Sequence, residues 1–294
     1  MLFDALTAES FKFTRNRVAV FWSLLFLPIM VVVSGIAQGW VMRSRVHQLN
    51  EALTPPGGTE PMINLAGAGS PVNLAGSMLT HSGELASAMV ILFALIGITS
   101  IWASDYRFET WRLIIARNSR SNLLWGKVAV AGMLVIGVMA LVLLTNVISG
   151  VIQAGFMARP VAFNMSGQEA GATLGLFGLN WLRLMQVAGL GLLTAIVTRS
   201  LLATLFVPLV LTVAQAALPG ILMGMGVGPD SWTSLLLSPG QGVTFLGGLI
   251  ASDGIMQQFS STVGYKSVLG LALWLLLPFA GAFLLFQRQD LSKE

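Results

Sequence analysis

Six runs of mostly apolar residues, at about 18–42, 84–104, 128–153, 184–199, 200–222 and 266–286, constrain this 294-residue chain more than any other feature. A helix that crosses the hydrocarbon layer of a bilayer needs roughly 20 such residues, and inside lipid a lone segment satisfies its backbone polar groups only as a helix. A water-soluble core of this size has no room for so many runs. Hydrophobic residues make up 55% of the chain and charged ones 10%, against about 25% charged in soluble domains. The pattern predicts an all-α membrane protein, a single transmembrane domain of six transmembrane helices. The start of the fourth run is blurred by Asn180, Trp181 and Arg183, so Leu176 to Leu182 is expected in the interface before the chain turns inward. The first run is longer than the roughly 7 to 15 apolar residues of a secretory signal and ends at Arg43 and Arg45, so it is expected to remain as a span.

Orientation follows from the basic residues, because cytoplasmic flanks carry the excess of Lys and Arg. Lys12, Arg15, Arg17, Arg107, Arg112, Arg117, Arg120, Lys127, Arg199, Arg288 and Lys293 fall on one side, and Arg43, Arg45, Arg159, Arg183 and Lys266 on the other. That bias predicts N-in/C-in. The net charge of +4 is thus spread along membrane flanks and carries topology rather than a nucleic-acid footprint. Cysteine is absent, which excludes disulfides and cysteine-ligated metals, and His47 and His81 are too few for a metal cluster.

The outer segments 43–83 and 223–265 are long. The first, with Pro55-Pro56-Gly57-Gly58, Pro61 and Pro71, is expected to be irregular. The second places two short apolar pieces, Trp232 to Leu237 and Val243 to Ile250, around Ser238-Pro239-Gly240, which fits a re-entrant or interfacial hairpin. Before the first span, residues 1–17 are amphipathic, with Phe3, Leu6, Ser10 and Phe13 at helical spacing and Asp4, Thr7, Glu9, Lys12 and Arg15 on the polar remainder. Such a helix lies in the membrane interface, as a topogenic anchor or as a surface for a partner.

The cytoplasmic loop 105–127 holds five of the 16 basic residues, Arg107, Arg112, Arg117, Arg120 and Lys127. It also carries Phe108, Trp111, Leu113, Ile114 and Ile115, of which Trp111, Ile114 and Ile115 share one helical face. A solvated connector has no use for that face. Either the loop docks back on the membrane, or it fills a groove on a cytoplasmic partner with aromatic and Arg anchors.

This arrangement resembles the ABC-type-2 transporter permeases, the membrane subunits of bacterial ABC exporters. The residues that carry the resemblance are the Asp105 to Glu109 lead, the helix Glu109-Thr110-Trp111-Arg112-Leu113-Ile114-Ile115, the Ser119-Arg120 pair, Leu124-Trp125-Gly126-Lys127 opening the third span, and the Thr198-Arg199-Ser200 turn. The resemblance implies an N-terminal amphipathic elbow helix and a cytoplasmic coupling helix at 105–127. Arg107, Phe108, Glu109, Trp111, Arg112, Ile114, Ile115 and Arg117 would then contact a separate ABC ATPase subunit, which binds ATP and Mg. It also implies a homodimer, or pairing with a second permease subunit, in the bacterial inner membrane. The chain lacks the phosphate-binding pattern G-x-x-x-x-G-K-[ST], since Gly126-Lys127 is followed by Val128, so it is not expected to hydrolyse ATP or to hold a cofactor itself.

Polar residues within the spans are Asn146, Ser149 and Gln153 in the third, Gln186 and Thr194 in the fourth, and Thr212 and Gln215 in the fifth. They either line a substrate path or hydrogen-bond neighbouring helices. Two readings compete with an exporter. A channel or scaffold not coupled to ATP explains the spans but not the Trp111 face. An intramembrane lipid-modifying enzyme needs catalytic groups at membrane depth, yet the only acids near the spans are Glu84 and Asp105 at their ends.

Overall fold

A computed structural model of the chain describes residues 2–53, 71–107, 119–252 and 262–289. Among these, six helices are long and apolar enough to cross a membrane, which makes this a multi-pass all-α protein. The chain begins with α1 (Leu2–Arg15) and α2 (Arg17–Val20), followed by a π-helical segment, Phe21–Leu25, and α3 (Phe26–Leu53). The π segment has a local cause. Pro28 has no N–H to offer the carbonyl of Leu24 and its ring crowds that carbonyl, so the turn before it widens. A short strand β1 (Val72–Asn73), then α4 (Leu74–Gly83), α5 (Ala88–Arg107) and α6 (Arg120–Phe156) follow. The second half comprises β2 (Val161–Ala162), α7 (Gly167–Thr198), α8 (Leu201–Gly224), α9 (Trp232–Leu237), α10 (Pro239–Ile250) and α11 (Val263–Arg288).

Burial sorts the six long helices into centre and periphery. In α5 and α7, 61% of the apolar window is buried, against 22% in the first long helix, α8 and α11. The bundle is therefore built around α5 and α7, with α6 beside them. Leu95, Ile98 and Trp102 of α5 pack with Val135, Val138 and Met139 of α6 and with Leu184, Ala188 and Leu192 of α7. The outward faces of the peripheral helices remain apolar, as at Val210, Val213, Leu276 and Leu277, which suits contact with lipid.

Three features differ from the sequence expectation. The fourth long helix does not begin near residue 184, because α7 runs unbroken from Gly167 through Asn180, Trp181 and Arg183. Each of these finds a partner inside the bundle: Asn180 Nδ2 donates to the Ser82 carbonyl at 2.8 Å, Trp181 Nε1 to that of Gly132 at 3.2 Å, and Arg183 to two glutamines. The segment 43–83 is helical at both margins, since α3 runs on to Leu53 and Asn73 caps α4 by accepting from the Ala75 amide. In α1 the stripe that packs on the bundle is Ala5, Glu9 and Phe13, so Glu9, expected on the polar face, is buried, while Phe3 is 79% exposed.

Caps set where the helices begin. Ser166 and Glu169 form a capping box at α7, and Ser119, Ser200 and Ser231 accept from backbone amides at the starts of α6, α8 and α9. The turn between α7 and α8 is made by Arg199 at φ 53°, whose amide donates to the Ala195 carbonyl at 2.9 Å. The hairpin of α9 and α10 packs on α11 by way of Gly270, where an added Cβ would lie 2.6 Å from the Leu235 carbonyl oxygen. That oxygen belongs to the backbone and cannot rotate away. Gly270→Ala should therefore cost on the order of 1–3 kcal/mol, whereas Gly264→Ala, whose Cβ would meet, among the described residues, the Leu249 Cδ1 at 3.6 Å, should be nearly silent. Melting temperatures of the two variants in detergent check the contrast, and equal values would contradict the described packing.

Candidate functional site

One end of the bundle holds a closed cluster of four charges. Lys127 enters from the first turns of α6, where Gly126 lets α1 come close: a Cβ at Gly126 would be 3.0 Å from that of Ala5. At that approach Lys127 Nζ stands 2.9 Å from Glu9 Oε2 and 2.7 Å from Asp105 Oδ2, and donates to the Ile101 carbonyl at 2.7 Å. Lys12 completes the ring, with Nζ 2.8 Å from Glu9 Oε1 and 3.0 Å from Asp105 Oδ1. Each carboxylate thus bridges two ammonium groups, and the set is neutral. Glu9, Asp105 and Lys127 are 4%, 2% and 1% exposed, a burial that charges tolerate only when paired and hydrogen-bonded. The Lys12 ammonium is held above its ordinary range. Burial, the largest single influence, pulls it down, and the Asp105 and Glu9 carboxylates together more than reverse that.

The same end carries a second knot. Arg120 Nη1 donates to the carbonyls of Phe286, Gln287 and Gln289, closing the C-terminus of α11 with a cation as the helix dipole favours. Gln289 accepts from the Tyr106 hydroxyl at 3.2 Å and donates to the Ile196 carbonyl at 3.3 Å. Helices α1, α5, α6, α7 and α11 are thereby cross-tied around the two ends of the segment 108–118. That segment contains Phe108, Glu109, Trp111, Arg112, Ile114, Ile115 and Arg117, which lie outside the described residues; Arg107 is the last residue of α5, and its side chain is not described.

Farther along the bundle, Arg183 forms a different kind of centre. It is 5% exposed, and its Nη1 and Nη2 donate to Gln186 Oε1 at 3.0 Å and Gln215 Oε1 at 3.1 Å. Gln186 in turn donates to the Leu271 carbonyl at 2.7 Å, and the Gln215 carbonyl accepts from Ser238 Oγ at 2.8 Å. The structure therefore brings two of the seven polar span residues, Gln186 and Gln215, together. Thr212 and Asn146 stand in the walls of two cavities that share Arg183. The others are elsewhere: Thr194 bonds the Leu190 carbonyl of its own helix, and Ser149, which accepts from Gln153, packs under Gly35 of α3.

Sequence reasoning assigned Glu9, Lys127 and Arg183 to polar or flanking positions, and all three are buried. The available signal was spacing. Glu9 lies four residues from both Ala5 and Phe13, on the stripe that packs, and Gly126 directly before Lys127 permits close backbone approach.

The model of the family described as a protein of unknown function (DUF2705) matches residues 62–292, and the chain belongs to that family. No curated protein and no solved structure matches it.

Removing Lys127 leaves two buried carboxylates sharing one ammonium that is itself 39% exposed. Lys127→Met should cost about 3–5 kcal/mol; Lys12→Met leaves the same two carboxylates on a single ammonium but removes the member that water already reaches, so its cost should be smaller, about 1–3 kcal/mol. Thermal unfolding followed by tryptophan fluorescence measures both, and equal costs would contradict the asymmetry. The raised Lys12 value sets the sign of the pH effect. Its contribution is complete below the unfolded lysine value of about 10.4 and is lost as pH rises through the higher folded value. The difference between wild type and Lys12→Met should accordingly be flat from about pH 6 to 9 and shrink only above the ordinary lysine range.

Proposed function

We propose that this chain is the transmembrane permease subunit of an ATP-binding cassette exporter in the bacterial inner membrane, with both termini cytoplasmic and a separate ATPase subunit supplying the energy. The observation that carries this reading is the four-charge cluster. It joins α1 to the last turn of α5 and the first turns of α6, the two helices between which the segment 108–118 is strung. A force applied to that segment by a partner is not absorbed by loose helix ends. It reaches α1, α5 and α6 as one unit, and through Arg120 and Gln289 it reaches α11 and α7.

In this reading α1 is the elbow helix and 105–127 contains the coupling helix. The face formed by Trp111, Ile114 and Ile115 fills a groove on the ATPase, and Arg107, Glu109, Arg112 and Arg117 set its orientation at the rim. ATP and Mg are bound by the ATPase alone. The substrate path lies along the polar positions of α6, α7 and α8 in a homodimer or a pair of related permeases. A channel or scaffold without an ATPase gives no reason for an aromatic and arginine-rich segment between two helix ends cross-braced by buried charge.

The proposal is tested by whether a gene beside that of this chain encodes a protein with a phosphate-binding loop, and by co-expression of the chain with that protein. The wild type should co-purify with that ATPase and raise its hydrolysis rate, while Trp111→Ala and Arg112→Glu should weaken association by about tenfold or more, as expected for interface anchors. Wild-type association and hydrolysis in both variants would overturn the assignment of the coupling segment.

A further inference from the structure

Arg183 is a permanent cation in the interior of the bundle with only neutral partners. The guanidinium has five N–H donors and stays protonated in proteins. Among the described residues, its bonds go to two glutamine oxygens and no carboxylate pairs with it. Lys127, the other cation buried this deeply among the described residues, has two carboxylates in direct contact. At ~1.5 Å per residue Arg183 lies roughly 24 Å along α7 from the turn at Arg199, still within the ~30 Å depth of a hydrocarbon layer that begins at that turn. A charge buried there is costly unless it is answered by hydrogen bonds, water or an opposite charge.

The surroundings have the shape of a place for one. Arg183 lines a cavity of about 620 Å³ between α5, α7, α8 and the α9–α10 hairpin, and it is the one charged residue in that wall. The hydroxyls in the wall are already engaged: Thr212 donates to the Pro208 carbonyl, Ser238 to that of Gln215 and Thr244 to that of Gly240. Arg183 has donors to spare, and Gln215 Nε2 next to it is buried without a hydrogen-bond partner among the described residues. The rest of the wall is apolar, including Ile91, Leu209, Pro219 and Phe245. Val213 of the same wall is 56% exposed on the outer side of α8, so the cavity borders the face that meets lipid. A second cavity of about 510 Å³ also reaches Arg183, but its wall contains Glu84, which disfavours an anion there.

We infer that Arg183 is the headgroup contact of a binding site for an amphiphilic anion, a molecule with one carboxylate or phosphate on an apolar body that lies against Ile91, Leu209 and Phe245. The inference of binding stands on the cavity and the uncompensated cation. That the bound anion is also what the protein moves rests on the export reading above.

The test uses the full chain purified into nanodiscs of phosphatidylcholine, with the fluorescent fatty acid cis-parinaric acid as probe and its methyl ester as the neutral control. The acid should bind saturably and the ester about ten- to a hundredfold more weakly, the range of a lost charge-assisted hydrogen bond. Arg183→Gln should bind the acid as weakly as the ester, Arg183→Lys should restore part of the difference, and Thr244→Trp, which keeps the cation and fills the cavity, should abolish binding. Equal binding of acid and ester, or unchanged acid binding in Thr244→Trp, overturns the site even where Arg183→Gln fails to fold. Displacement by phosphatidylglycerol supports the site with a lipid phosphate as its natural occupant; displacement by fatty acids alone supports it with a free carboxylate. Binding that never alters hydrolysis by the partner ATPase removes the transport role and leaves the site. ATPase coupling that persists while acid and ester bind alike removes the site and leaves the export reading.

Discussion

Two carboxylates and two ammonium groups, closed into a neutral ring where α1 meets α5 and α6, set the terms on which this end of the molecule can exist. In low dielectric each ion alone would cost several kcal/mol, so none of Glu9, Asp105 or Lys127 tolerates burial without the others. Because the members come from three helices, the ring forms only when all three are in place. The docking of α1 and the close approach at Gly126 are therefore parts of one event. The α1 helix, which on amphipathicity alone would lie free in the interface, becomes part of the bundle.

The six long apolar helices were legible in the sequence because hydrocarbon permits few ways to hide a backbone. Two short helices within 223–252 were legible as well, since Ser238-Pro239 divides the two short apolar pieces and α9 and α10 fall on either side. What sequence could not supply was pairing across distance. Glu9 and Lys127 are 118 positions apart, and Arg183 and Gln215 are 32 apart on different helices. Each residue taken alone looks like a surface charge or a helix flank. The interruption of the fourth span by Asn180, Trp181 and Arg183 misled for the same reason: hydropathy counts a polar side chain against a span, whereas the fold offers each of these a partner in a neighbouring helix. Of the candidate coupling residues, all but Arg107 fall outside the described segments.

The two buried cationic centres follow opposite rules. Around Lys127 the protein supplies its own counter-charges, and the result is a joint in which each described charge faces an opposite one. Around Arg183 it supplies amide oxygens, which satisfy two hydrogen bonds and, among the described residues, leave the charge without a carboxylate. A fully paired buried ion is costly to break once the fold holds it, and an under-paired one beside a cavity is what the proposed anion site rests on. The first centre joins α1, α5 and α6 next to the helix ends and the second joins α7 and α8 well along the bundle, so in the proposed reading connection and recognition fall on different helices.

The π-helical segment at Phe21–Leu25 bears on this arrangement through helical phase. Each α-helical residue advances the side-chain direction by about 100°, and a π turn fits one extra residue into the same length of axis. The residues before Pro28 and those after it therefore follow two different angular registers on one continuous rod. In the register before the proline, Ala19 and Ser23 both turn inward, and Ser23 meets Gly97 where an added Cβ would lie 2.8 Å from its own. In the register after it, Gly35 turns toward Ser149 and Gly39 toward Phe156. One proline thus lets a single long helix present small residues to α5 at one depth and to α6 at another, which a uniform helix of the same sequence length would present out of step.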